Sequence, residues 1–372
     1  MRNIFIFFGI AFISLTLTSQ EAYKFTTIID LEATPVISQG NTGTCWSYSA
    51  SSFLESEIIR LNGKQVDISE MYNVRNTYPI KAENYVMRQG KAQFSEGGLA
   101  HDVLNSVRKF GIVPVETYSG LFGGATRHNH AEMVSTLTAM LENYVKNSKN
   151  LSPKWKESFA ATLDVYLGKN VTSFTYEGKK YTPLEFAKSL KINADDYINI
   201  TSFTQAPFYS KFILNIPDNF SNGSFYNVPI NDLVSVVNNA LENGYTVEID
   251  CDVSEKTFSS KDGVAVIPSN KLNNLNAMKS IYPEMEVTQE FRQQEFENFN
   301  TTDDHLMHIT GIVKDQNGTF YYMVKNSWGT NPERTTHNGY VYFSEAYFKL
   351  KTISITLHKD GITKSITNNL GL

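Results

Sequence analysis

Residues 40–49 read GNTGTCWSYS, a glycine-rich turn running directly into a helical pattern, and this junction constrains the chain more than any other stretch. From Cys45 to Arg60, the residues Trp46, Ala50, Phe53, Leu54, Glu57 and Ile58 recur near the helical period, which predicts a core helix that begins at the cysteine. Asn62-Gly63 marks its end. A thiol attacks as its thiolate, and the free N–H groups of a helix N-terminus lower its pKa. Taken alone, the segment reads equally well as an inert buried cysteine opening a core helix. Gln39 shifts that balance. Six positions before Cys45, its amide can turn back over the thiol and donate to a developing oxyanion together with the Cys45 N–H.

Around this junction the chain divides into a helical early part and a β-rich late part. Helices are predicted over 99–110, closed by Gly111, and over 132–145, 184–190 and 230–241. Strands are predicted over 245–251, 308–314, 320–325 and 339–343, with an Asn317-Gly318 turn between two of them. Residues 120–230 read as a mainly helical insertion, because no Gly/Ser or Pro-rich linker borders them. The expected class is α+β, with an antiparallel, barrel-like right half and a cleft between the halves.

The 372 residues carry 33 Lys+Arg against 38 Asp+Glu, a net charge of −5, with 41% hydrophobic and 19% charged residues. That composition excludes a disordered chain, and the absence of a basic block argues against nucleic acid as a partner. At the N-terminus, Arg2 precedes an apolar run from Ile4 to Leu17, the layout of a signal peptide over residues 1–19. Since the next cysteine is Cys45, no lipid-attachment cysteine follows. No later segment is apolar enough to span a bilayer, so an exported chain, periplasmic or secreted, is expected.

A thiolate nucleophile needs a histidine base held by a third group. His305 follows Asp303-Asp304, and Asn326-Ser327-Trp328-Gly329 follows one turn and one strand later. If the two strands pair, the Asn326 carboxamide reaches the His305 imidazole and sets its tautomer, with Trp328 shielding the bond from water. His308 is the rival base, but three residues along a strand it points to the opposite face. His128 and His130 lack a third metal ligand at suitable spacing and read as a solvated loop, so no metal and no cofactor are expected. Cys251, in the alternating stretch YTVEIDCDV, reads as a second free thiol on a half-buried strand.

Four separated motifs, Gln39 with GTCWSYSA, then SEGGLAHDVLNSVRKFGIVPVETY, DDHLMHITGIV and VKNSWG, resemble the papain-like cysteine peptidases. The segments YTPLEF, VPINDLVSVVNNAL and VEIDCDVSEKTF are similar to the bleomycin hydrolase and aminopeptidase C branch. The resemblance implies a papain-like fold over residues 20–372 and a peptidase acting on peptide substrates. It implies Cys45 as nucleophile, His305 as base, Asn326 as its orienter and Gln39 as oxyanion donor. Gly97 and Gly98 match the glycine pair along which substrate backbone lies, with Trp328 beside it. In that branch homo-oligomers, typically hexamers, are the habit, and a C-terminal arm holds the substrate's free amine in the cleft. Here only DGITKSITNNLGL follows the last strand. Aminopeptidase action is therefore expected, with three alternatives: an open-cleft endopeptidase, transfer to an amine on the same scaffold, and an inactive peptide-binding module.

Overall fold

The computed structural model describes residues 21–372, so the expected signal peptide lies outside the described residues. The first helix, α1 (Cys45–Asn62), begins at the cysteine and stops where Gly63 takes a left-handed φ of 65° and donates its N–H to the Ile59 carbonyl. It is followed by α2 (Glu70–Met87) and α3 (Ala100–Phe110). Ser69 caps α2 by accepting from Tyr72 N, and Asp102 caps α3 by accepting from Leu99 N. Next come α4 (Ala131–Lys146), α5 (Trp155–Leu167), α6 (Pro183–Ser189) and α7 (Ile230–Glu242). Four shorter helices follow: α8 (Asn274–Ala277), α9 (Gln289–Glu297), α10 (Glu345–Lys351) and α11 (Lys364–Leu370).

The strands are β1 (Thr26–Asp30), the small hairpin β2 (Phe174–Tyr176) with β3 (Lys179–Tyr181), β4 (Tyr197–Thr201), β5 (Lys211–Ile213) and β6 (Ser224–Asn227). Then come β7 (Val247–Cys251), β8 (Phe258–Ser259), β9 (Val264–Ala265) and β10 (His305–Lys314). The last three are β11 (Phe320–Lys325), β12 (Tyr340–Ser344) and β13 (Thr352–His358). All but β2 and β3 join one sheet in the order β5-β6-β4-β13-β7-β10-β11-β12-β9-β8, with β1 added beside β10.

This sheet corrects the expected antiparallel barrel-like half in two respects. Its path is open from β5 to β8, and two of its pairings, β4 with β6 and β9 with β12, are parallel. Residues 120–230 carry helices α4, α5 and α6 together with short strands. After α4, α5 and α6 the chain forms β4 to β6, which extend the main sheet past β13. Met133, Leu137, Phe159 and Leu163 of α4 and α5 lie in the same buried cluster as Trp46 and Phe53 of α1, so this stretch has no core of its own. A second core lies between α7 and the sheet, and α11 closes its edge through Ile366 and Leu370.

Helix α1 is sandwiched between α2 and α3 on one side and β10 on the other. Two of its serines face β10: Ser49 Oγ donates to the Met307 carbonyl at 2.6 Å, and Ser52 Oγ meets His308 Nδ1 at 3.0 Å, while Ser47 Oγ donates to the Glu70 carbonyl of α2 at 2.8 Å. Small hydroxyl side chains let backbone and helix approach closely while their polar atoms stay satisfied.

Candidate active site

Cys45 is the first residue of α1 and its thiol is buried beside the start of β10, where the Leu306 backbone is its polar neighbour. The β10–β11 hairpin brings the next two groups together. Its Asn317-Gly318 turn is closed on the Asp315 carboxylate, which accepts from Asn317 N and Thr319 N at 2.9 Å each, and Gly318 adopts φ 93°. His308 thereby pairs with Lys325 across the hairpin, and His305 Nε2 donates to Asn326 Oδ1 at 2.8 Å. That bond leaves Nδ1 as the unprotonated ring nitrogen of a neutral imidazole. Ser327 N donates to the same Asn326 oxygen at 2.7 Å, which pins the carboxamide.

Trp328 lies over the imidazole, with ring centroids 4.8 Å apart, and Phe258 meets the indole edge-on at 5.9 Å. On the other side of His305, Cys251 Sγ approaches its carbonyl at 3.6 Å; Cys45 and Cys251 are both free thiols. Gln39 is tied to the same loop. Its N–H donates to the Ser327 carbonyl at 2.9 Å, its Oε1 accepts from Ser327 Oγ at 2.6 Å, and its Nε2 donates to Thr42 O at 2.7 Å. One Nε2 hydrogen remains after the bond to Thr42.

Burial dominates the electrostatics. It pushes the Cys45 thiol up to about 12, against the Leu306 backbone hydrogen bond, with Asp218, Asp303 and Asp250 adding to the rise. The lowering expected at the helix N-terminus does not show, because burial is the largest contribution and raises the thiol. Burial likewise takes His305 down to about 4, with the Asn326 bond opposing it.

The glycine pair is not open. A Cβ on Gly97 would sit 1.9 Å from Asp218 Oδ2, and one on Gly98 would sit 3.1 Å from the Trp46 ring. Lys81 Nζ donates to the Gly97 carbonyl. The 128–130 segment is placed differently from expectation, whereas His308 points away from Cys45 as expected. His130 is buried, not a solvated loop residue, since the 128–130 segment packs on the cysteine turn through Asn41 N to His128 O and His130 N to Asn41 O. His308 faces Ser52, two turns along α1 from Cys45.

Behind the His305–Asn326 pair lies a cavity of about 340 Å³ lined by Glu55, Asp67, Glu70, His308 and Lys325. The three carboxyls bring oxygens within 4.8 Å of one another. Lys325 Nζ serves them through Thr34 Oγ1, to which it donates at 3.0 Å and which donates to Glu55 Oε2 at 2.5 Å. Sequence reasoning did not find this group, nor Asp218 and Asp250, because their partners lie far away along the chain.

Residues 82–371, more than half of the chain, match the Peptidase C1-like family. Gly97, Gly98, His305, Asn326 and Trp328 fall inside this span, and Gln39 and Cys45 precede it. Cysteine proteinase 1, mitochondrial, of Saccharomyces cerevisiae (strain YJM789) is 23% identical over 403 residues, covering 95% of this chain and 80% of that protein. Aminopeptidase G of Lactobacillus delbrueckii subsp. lactis is 21% identical over 376 residues, covering 90% and 83%. The crystal structure of PepW from Lactobacillus rhamnosis superposes with a TM-score of 0.74 at 18% identity, over 93% of this chain and 84% of that one. The chain thus belongs to the Peptidase C1-like family, on the bleomycin hydrolase and aminopeptidase C branch of the papain-like cysteine peptidases.

Proposed function

We propose that this chain is a cysteine aminopeptidase with Cys45 as nucleophile, His305 as base and Asn326 as the group that orients it. The observation that carries the reading is the His305 Nε2 to Asn326 Oδ1 bond under Trp328, held beside a cysteine at the first position of a buried helix. His305 Nδ1 takes the thiol proton as Sγ attacks the scissile carbonyl. The Cys45 N–H, unpaired at the helix start, and the remaining Gln39 Nε2 hydrogen serve the oxyanion. His305 then returns the proton to the leaving amine, and water hydrolyses the thioester.

The reading favours aminopeptidase over endopeptidase action because Asp218 covers Gly97 and so narrows the side of the cleft on which further N-terminal residues would lie. The names of two relatives, a cysteine proteinase and an aminopeptidase, support the same class. Export through residues 1–19 belongs to this reading, and N-terminal sequencing of protein recovered from cells should begin near Gln20. The activity is tested with one peptide supplied with a free and with an acetylated N-terminus. Stepwise release of residues from the free form alone, absent in Cys45→Ala, is expected. Internal cleavage of both forms would instead establish an endopeptidase.

A further inference from the structure

The segment that leads into α3 is tied to the cysteine turn on both sides of the nucleophile. Glu96 Oε2 accepts from Gly43 N at 2.6 Å, and the Glu96 carbonyl accepts from Trp46 Nε1 at 2.9 Å, so Gly97 is held next to the turn that carries Cys45. A peptide backbone that runs along such a glycine needs an open face and free backbone groups to bond to. Gly97 has neither on offer. A Cβ there would collide with the Asp218 carboxyl, and its carbonyl already accepts from Lys81 Nζ. The same face of Gly98 is closed by the Trp46 ring.

Asp218 belongs to residues 214–223, the loop between β5 and β6, and this loop is fixed along its length. Leu214 and Ile216 are buried in the first core. Asn219 ties the loop to itself: its Nδ2 donates to the Leu214 and Gly223 carbonyls at 2.8 and 2.9 Å, and its Oδ1 accepts from Gly223 N at 2.7 Å. Ser221 Oγ donates to Asp102 Oδ1 at 2.8 Å at the start of α3, and Gly223 lies flat against the His101 ring. At the tip, Asp218 Oδ1 accepts from Gln93 Nε2 at 3.2 Å and from Ser95 Oγ at 3.4 Å. Moving Asp218 off Gly97 breaks several of these bonds together, so the cover is pre-formed and does not wait for substrate.

Residues 361–370 are committed elsewhere. Ile362, Ile366 and Leu370 lie in the second core, and Asn239 Nδ2 donates to the Gly361 carbonyl at 2.7 Å.

We propose that the 214–223 loop is a fixed occluding element: the bulk of Asp218 on Gly97 stops a substrate from running on along the 97–98 segment, so that an internal loop, and not the C-terminal segment, confines this enzyme to chain ends. The proposal rests on the aminopeptidase reading and names the element that sets its specificity. The block is steric, so bulk and charge at position 218 have separate consequences.

An internally quenched alanine peptide, acetylated at its N-terminus and amidated at its C-terminus, is offered to the wild-type protein, Asp218→Gly and Asp218→Asn, each checked by its melting curve, with Asp218→Ala as the substitute if the glycine variant melts early. Asp218→Gly, which clears Gly97, should cut the capped peptide internally at least about tenfold faster than the wild type, whereas Asp218→Asn, which keeps the bulk and loses the charge, should show no gain. No gain in the glycine and alanine variants overturns the proposal; an equal gain in Asp218→Asn overturns it in favour of charge. A chain lacking residues 364–372 should gain nothing, and a gain there returns the role to the tail. Internal cleavage of the capped peptide by the wild type overturns the proposal and the aminopeptidase reading together. Binding of N-acetyl-hexaalanine amide in the Cys45→Ala background, measured by calorimetry, needs no turnover: adding Asp218→Gly should tighten it about tenfold, and adding Asp218→Asn should not. That gain in binding, without Cys45-dependent cleavage by any form, would sink the peptidase reading and leave the occluding loop standing. Stepwise release from free peptides by the wild type, with no gain in binding or internal cleavage in Asp218→Gly, would keep the aminopeptidase and remove the loop.

Discussion

At the scale of single residues, burial raises the Cys45 thiol and lowers the His305 imidazole. A thiol pushed up to about 12 beside an imidazole taken down to about 4 has little thiolate at neutral pH. Alkylation of Cys45 by iodoacetamide in the unliganded protein should therefore climb about tenfold per pH unit between pH 6 and 9. A preformed thiolate–imidazolium pair would give a fast rate that is flat over that range. Because Asp218 and Asp303 raise the thiol pKa, Asp218→Asn should increase the alkylation rate at pH 7, and an unchanged rate would mean that burial acts alone. His305 and Asn326 were legible as a pair because only 21 positions and one turn separate them. The burial that decides their charge was not legible, since it comes from the helical layer, the sheet and Trp328 together.

Among the elements, α1, α3, α4 and α7 were readable from apolar periodicity, and their ends from Gly63, Gly111 and Gly244. Helix α2 was not. It carries Pro79 and buries Asn73, Arg75, Asn76 and Lys81, so its pattern lacks an apolar face. The short strands β4 and β6 were missed because they are defined by their neighbours in the sheet. Strand β7 shows what such placement does to a side chain. Glu248 is fully buried against Ser49 of α1, and burial pushes its carboxyl up to about 8, whereas an unfolded glutamate titrates at about 4.3. The raised folded value means that its contribution to stability is complete below the unfolded pKa and is lost as pH rises through about 8. By about pH 7.5, a unit above the ordinary imidazole value, the buried imidazoles are largely neutral in both states and no longer oppose this. The melting temperature should fall between about pH 7.5 and 9, and Glu248→Gln should make that slope shallower; an equal slope in the variant would contradict the assignment.

For the whole molecule, the question left by sequence was whether the short tail reaches the cleft. It packs into the second core instead, where Ile366 and Leu370 are buried at about 1.5–3 kcal/mol each. Deleting residues 364–372 should lower the melting temperature while leaving the ratio of free-amine to acetylated peptide cleavage unchanged. Loss of that ratio would place the tail in substrate binding, and Ile366→Ala offers a milder version if the truncated chain aggregates. Among the described residues no helix is long and apolar enough to cross a membrane.

Some of this protein was determined by its sequence alone: an α+β chain, a cysteine opening a helix, a histidine and an asparagine joined by a hairpin, and the family that carries those motifs. These follow from local periodicity, turn chemistry and the order of motifs, which one strand of text preserves. Tertiary structure alone decided that Asp218 covers Gly97, that His130 is buried and that the C-terminal helix packs into the second core. Each of these depends on through-space neighbours from distant segments and on the water they exclude, and neither is written at any one position of the chain.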